Sequence, residues 1–78
     1  MVQDATYVVK YNPGMMASRW ELLEASALGG YRLLERYETK EDAVVDATKL
    51  ARRENVKAAF YSKDNEANER ITATRDFR

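Results

Sequence analysis

The sequence predicts an α+β domain, with one amphipathic helix lying on one face of an antiparallel sheet of about five strands. One segment, from Thr39 to Asn55, repeats small apolar residues at helical spacing. The remaining segments are rich in β-branched and aromatic residues, and turn residues separate them into the order β-β-β-α-β-β. Short connections between consecutive strands favour antiparallel pairing.

Length and composition predict a single small domain covering residues 1–78. The chain contains no cysteine and no histidine, so neither a disulfide nor a Cys/His zinc site is expected to stabilise it. The first residues do not form a basic segment followed by an apolar one, and no apolar run is long enough to span a membrane. We therefore expect a cytoplasmic protein, and the absence of cysteine fits a reducing compartment.

The helix is predicted from its two ends as well as from its periodicity. Thr39 is a favourable N-cap, and Asp42 follows three residues later, as in a capping box. Asn55 readily adopts the left-handed conformation that ends a helix. Because three of the five residues on the apolar face are alanines, we expect the helix to lie close to the sheet. That face consists of Ala43, Val44, Ala47, Leu50 and Ala51.

Five strands are predicted around the helix, at residues 5–11, 19–27, 31–37, 56–62 and 70–77. The second and third strands form a hairpin across residues 27–30, which contain Gly29 and Gly30. A two-residue Gly-Gly turn would place Glu24 opposite Glu35, two like charges, so the longer loop is preferred. The preferred register pairs Trp20 with Tyr37, Leu23 with Leu34, Glu21 with Arg36, and Arg19 with Glu38.

The hairpin register places apolar side chains on both faces of the sheet. If Trp20 and Tyr37 lie on one face, the Leu23 and Leu34 pair lies on the other. A single helix covers only one of these faces, and a chain this short has few other means of stabilisation. We therefore predict a non-enzymatic interaction module that self-associates, most simply as a homodimer, with these four residues as interface candidates.

Several kinds of catalytic site are excluded by composition. Without histidine and cysteine, the chain can form neither Ser-His-Asp nor Cys-His catalytic systems. Gly29 and Gly30 precede a strand, whereas a phosphate-binding loop requires a helix N-terminus. The remaining acidic candidates alternate with basic neighbours and are interpreted as solvent-exposed strand residues, so no enzyme activity and no cofactor are expected. These candidates are Glu21, Glu24, Glu35 and Glu38.

Asp64, Glu66 and Asn68 faintly resemble the start of a calcium-binding loop. The EF-hand pattern would require glycine and glutamate where this chain has Glu69 and Arg75, so no metal site is predicted.

A basic cluster supports an alternative function. The chain has 13 basic and 13 acidic residues, and this zero net charge is unusual for a nucleic-acid-binding domain. Four basic residues nevertheless lie within nine positions at the end of the helix, where they could contact phosphates. The alternative prediction is therefore a nucleic-acid-binding accessory domain that uses Lys49, Arg52, Arg53 and Lys57.

Several positions resemble a family of small uncharacterised prokaryotic domains. The matching features are the Val8-Val9 strand, Trp20 at the start of a hairpin, Thr39 before an alanine-rich helix, and a final strand from Ile71 to Asp76. The chain resembles the YegP-like domains more loosely. Both resemblances imply a strand-rich unit with one helix, and neither implies a known reaction.

Overall fold

The computed structural model describes residues 5–61 and 71–78. These residues form a five-stranded sheet and one helix in the predicted order, so the α+β class is confirmed. The elements are β1 (Tyr7–Tyr11), β2 (Trp20–Ala25), β3 (Tyr31–Tyr37), α1 (Lys40–Glu54), β4 (Lys57–Tyr61) and β5 (Ile71–Asp76).

The sheet is mixed, which corrects the expectation of a fully antiparallel one. Its strand order is β3-β2-β1-β4-β5, and β1 and β4 pair in parallel while the other three pairs are antiparallel. The reason lies in the crossover. Because β3 runs in the same direction as β1, and α1 carries the chain back to the end of the sheet where β3 began, β4 must also run parallel to β1.

The helix begins and ends where the sequence predicts. The Thr39 hydroxyl accepts a hydrogen bond from the Asp42 backbone N–H at 3.2 Å, and Asn55 has the left-handed φ of 57°. Ala43, Ala47 and Ala51 are completely buried against the sheet. The small size of these alanines lets α1 lie close to the sheet residues of the main core, which are Tyr7, Val9, Trp20, Leu22, Ala58 and Phe60.

The β2–β3 hairpin follows the predicted register at its open end only. Trp20 pairs with Tyr37 and Glu21 with Arg36, but the register then shifts by one residue. The predicted pair of Leu23 with Leu34 is therefore wrong. Leu23 pairs with Leu33, and Leu34 is the extra residue of a β-bulge.

The two ends of the hairpin also decide between the register alternatives. At the turn, Glu24 pairs with Arg32 rather than with Glu35, so the two-residue Gly-Gly alternative is wrong. Ala25 pairs with Tyr31, so the loop covers residues 26–30 and is one residue longer than predicted. At the open end the ladder starts after Arg19. Glu38 there accepts hydrogen bonds from the backbone N–H and the hydroxyl of Ser18, at 2.8 and 2.6 Å.

A second apolar cluster lies on the sheet face opposite the helix. It contains Ala5, Val8, Ala59 and Tyr61, which are all buried, and Leu23 and Tyr31 pack against it. The Tyr31 hydroxyl donates to the Ala5 carbonyl oxygen at 3.0 Å, and the Lys10 ammonium lies 5.5 Å from the centre of the Tyr61 ring. The apolar residues of this face are thus largely buried, whereas the sequence suggested an uncovered patch.

Two tyrosine hydroxyls connect the helix to the sheet. Tyr7 on β1 donates to Glu54 at 2.7 Å, and Tyr37 on β3 donates to Asp46 at 2.7 Å. Burial, followed by the hydrogen bond to the nearby carboxylate, raises the pKa of each hydroxyl well above the ordinary value. Both contacts therefore favour the neutral phenol.

The raised pKa values of Tyr7 and Tyr37 predict that the free energy of unfolding falls at alkaline pH. Their pKa values are raised in the folded state, so their contribution is complete below the unfolded value of 10.0 and is lost as the pH rises above it. Each tyrosine should lower the free energy of unfolding by at most about 1.4 kcal/mol per pH unit in that range. Urea unfolding at a series of pH values measures this slope, and Tyr37→Phe should make it shallower. A slope unchanged in Tyr37→Phe would contradict the assignment.

Candidate interaction surface on strand β3 and helix α1

A depression in the described part of the chain lies between β3 and α1, and we call it the β3–α1 groove. Its volume is about 400 Å³. Leu22 and Leu50 contribute apolar surface, Leu34 enters from the bulge of β3, and the Tyr37–Asp46 hydrogen bond links the two walls. The bulge therefore places Leu34 on the helix side of the sheet, facing away from its predicted partner Leu23.

Charged residues of both signs line the same groove. Glu35 lies on the strand side, whereas Lys49 and Arg53 lie on the helix side, one turn apart. Within residues 5–61 and 71–78, none of these three makes an ion pair or hydrogen bond through its side chain. The groove thus combines an apolar floor with three charges that have no partner in the described chain.

Strand β3 forms one edge of the sheet, so one side of its backbone has no strand neighbour among the described residues. Leu33 and Leu34 at its centre are 41% and 37% exposed. Leu33 pairs with Leu23 and so faces the side opposite the helix, whereas Leu34 lines the groove. An edge strand with exposed leucines on both sides of the sheet is a favourable site for pairing with another chain.

The four predicted interface residues do not form one surface. Trp20 is buried in the main core, where its ring lies 5.0 Å from that of Tyr11. Tyr37 packs against that core, and Leu23 packs against the second cluster on the opposite face. Of the four, Leu34 alone is an exposed large hydrophobic residue. Its sequence neighbour Leu33, which sequence reasoning missed, is exposed as well, and the adjacent leucines, which break the alternation expected of a strand, were the available signal.

The predicted basic cluster is divided among three places. Lys49 and Arg53 line the β3–α1 groove, while the Arg52 guanidinium lies 5.5 Å from the centre of the Phe77 ring, beside β5. Lys57 precedes Ala58, which packs under the helix, so the alternation of the strand directs Lys57 to the other face of the sheet. The four residues therefore do not present a single basic patch.

The arginines of β3 are already paired with acids on β2. Arg32 contacts Glu24 at 2.7 Å, and Arg36 contacts Glu21 at 3.2 Å. The hydrogen bond from Arg32 is the main cause of the lowered pKa of Glu24. Three of the four acidic candidates therefore have structural partners, because Glu38 is bound by Ser18 and only Glu35 lacks one within the described residues.

A second, smaller depression of about 250 Å³ lies beside the β1–β2 loop. Its lining includes Ser18, Arg19 and Glu38, which already form hydrogen bonds within the chain. The exposed Met16 lies at its rim. The polar side chains of this depression thus already hold the β1–β2 loop in place. Fewer charged groups are therefore available to bind a partner here than in the β3–α1 groove.

Neither a metal-binding cluster nor a membrane-spanning helix occurs among the described residues. They contain no group of three acidic residues arranged to hold a metal ion. The residues resembling a calcium loop, Asp64, Glu66 and Asn68, lie outside the described ranges. Helix α1 is neither long nor apolar enough to cross a membrane.

Comparison with known proteins gives no match to a family model, a curated protein or a solved structure. The resemblances noted from the sequence therefore stay predictions, and functional inference must rest on the geometry of the chain itself.

Proposed function

We propose that this chain is a non-enzymatic interaction module that self-associates through the edge strand β3. The observation that carries the proposal is the pair Leu33 and Leu34, exposed on opposite sides of an edge strand. Contact with a second copy along this strand would remove exposed leucine surface from water. A homodimer is the simplest closed assembly of this kind.

Two features favour a second chain over a catalytic role. The polar side chains with shifted pKa values, Tyr7, Tyr37, Glu24 and Asp76, all have structural hydrogen-bond partners in the chain. In the β3–α1 groove the Tyr37 hydroxyl donates to Asp46, and burial together with this hydrogen bond raises the pKa of Tyr37, which favours the neutral phenol over a nucleophilic phenolate. Nucleic-acid binding is less well supported, because Lys49 and Arg53 share their groove with Glu35 and Asp46.

Replacing both leucines with aspartate should abolish self-association. Leu33→Asp/Leu34→Asp places two charges on the edge strand, where natural proteins use charged residues to prevent pairing. Light scattering over a range of concentrations should show a dimer for the wild type and a monomer for the variant. Leu28→Asp is the matched control, because Leu28 is 99% exposed at the hairpin turn and should leave association unchanged.

Circular dichroism must show that the double variant is folded, which is expected since both leucines are partly solvent-exposed already. Leu23→Asp is a poorer choice, because Leu23 packs against the second cluster and its loss would disturb the fold. A wild type that stays monomeric at every concentration, or a double variant as dimeric as the wild type, would overturn the proposal.

A further inference from the structure

The charges of the β3–α1 groove indicate how two copies would meet. Elsewhere on the hairpin each arginine has a nearby acid, as in the Arg32–Glu24 and Arg36–Glu21 pairs. In the groove, Glu35, Lys49 and Arg53 are exposed and have no such partner among the described residues. The groove thus places acidic and basic side chains that lack an ion-pair partner among the described residues around the exposed Leu34.

A two-fold interface brings the same patch of both subunits together, so that patch must be complementary to itself. The β3–α1 groove meets this requirement because its strand wall carries the negative Glu35 and its helix wall carries the positive Lys49 and Arg53. Asp46 also lies on the helix wall, but its carboxylate already accepts the hydrogen bond from Tyr37, so the helix wall keeps a net positive charge. A two-fold axis that runs along the groove places the strand wall of one copy opposite the helix wall of the other. Opposite charges then meet twice, once on each side of the axis.

We infer that two copies dock groove to groove, with Glu35 of each facing Lys49 and Arg53 of the other and with the two Leu34 side chains near the axis. This arrangement rests on the proposed self-association and specifies its geometry. Leu34 is 37% exposed within a groove of about 400 Å³, so the second copy can bury it against Leu50 and Leu22. Charge complementarity favours a second copy over a polyanion, which Glu35 would repel.

Charge reversal on either wall should weaken the homodimer. Glu35→Lys makes both walls positive, and Lys49→Glu/Arg53→Glu makes both walls negative, so each variant places like charges face to face. Sedimentation equilibrium should show dissociation constants at least about tenfold higher for each variant. All three positions are exposed, so folding should be retained. Glu41→Lys, an equal charge change in the first turn of α1, should leave the constant unchanged.

Mixing the two variants is the decisive experiment. In the heterodimer, the positive strand wall of the Glu35→Lys copy faces the negative helix wall of the Lys49→Glu/Arg53→Glu copy, and the two unaltered walls face each other. Both contacts therefore join opposite charges again, and association should recover. A triple variant, Glu35→Lys/Lys49→Glu/Arg53→Glu, should likewise recover its homodimer. Added salt should weaken the wild-type dimer, because these exposed pairs are screened.

The outcomes separate this arrangement from the proposed function. A wild-type dimer that Glu35→Lys leaves unchanged overturns the groove-to-groove docking but retains self-association through β3. Two variants that both dissociate, yet do not recover on mixing, overturn the reciprocal pairing. A wild type that stays monomeric at all concentrations overturns the docking and the proposed function together.

Discussion

Replacing Ala47 with leucine is expected to destabilise the fold by about 1–3 kcal/mol, because the site has no room for a larger side chain. Ala47 is completely buried at the centre of the alanine face of α1, between Ala43 and Ala51. A larger side chain would push the helix away from the sheet and disturb the packing over Val9 and Phe60. Urea unfolding followed by circular dichroism measures the loss.

Val45→Leu is the matched control for this substitution. It places the same side chain on the same helix, but Val45 is 50% exposed. Its effect on the free energy of unfolding should stay within about 0.5 kcal/mol, as for most surface substitutions. Equal effects of Ala47→Leu and Val45→Leu would mean that the close contact between α1 and the sheet is wrong.

Truncating Leu22 to alanine is expected to have the second large effect, about 2–5 kcal/mol. Leu22 is among the largest fully buried side chains, and it is also part of the floor of the β3–α1 groove. Its removal leaves a cavity that the surrounding residues can fill only partly. Thermal and urea unfolding should both show the loss.

Leu28→Ala makes the same chemical change at the fully exposed turn of the hairpin, and should leave stability nearly unchanged. A Leu22→Ala variant as stable as Leu28→Ala would contradict the burial of Leu22.

The candidate site could be predicted only in part from the sequence. Leu34, Lys49 and Arg53 were all identified as candidates, but in two different hypotheses, an interface and a nucleic-acid site. The bulge of β3 brings Leu34 to the same groove as the two helix residues. A one-residue shift of this kind moves a side chain to the other face of the sheet, and the two adjacent leucines do not by themselves show which of them faces the helix.

The burial of the sheet face opposite the helix also could not be predicted from the sequence. The hairpin pattern shows that Leu23 faces away from Trp20, but not that Val8, Ala59 and Tyr61 surround it. Those three residues come from β1 and β4, which are distant in sequence and adjacent only because the strands pair in parallel. Burial on both faces is usual for the central strands of a parallel pair.

The sequence by itself determined the local elements of this protein. Thr39 and Asn55 bound the helix because capping and left-handed conformation depend on neighbouring backbone groups. The aromatic and aliphatic residues that follow Gly29 and Gly30 define β3 in the same local way. Tertiary structure alone decided the parallel pairing of β1 with β4, the bulge at Leu34 and the meeting of opposite charges in one groove. These features depend on contacts between distant segments, whose energies no local pattern encodes.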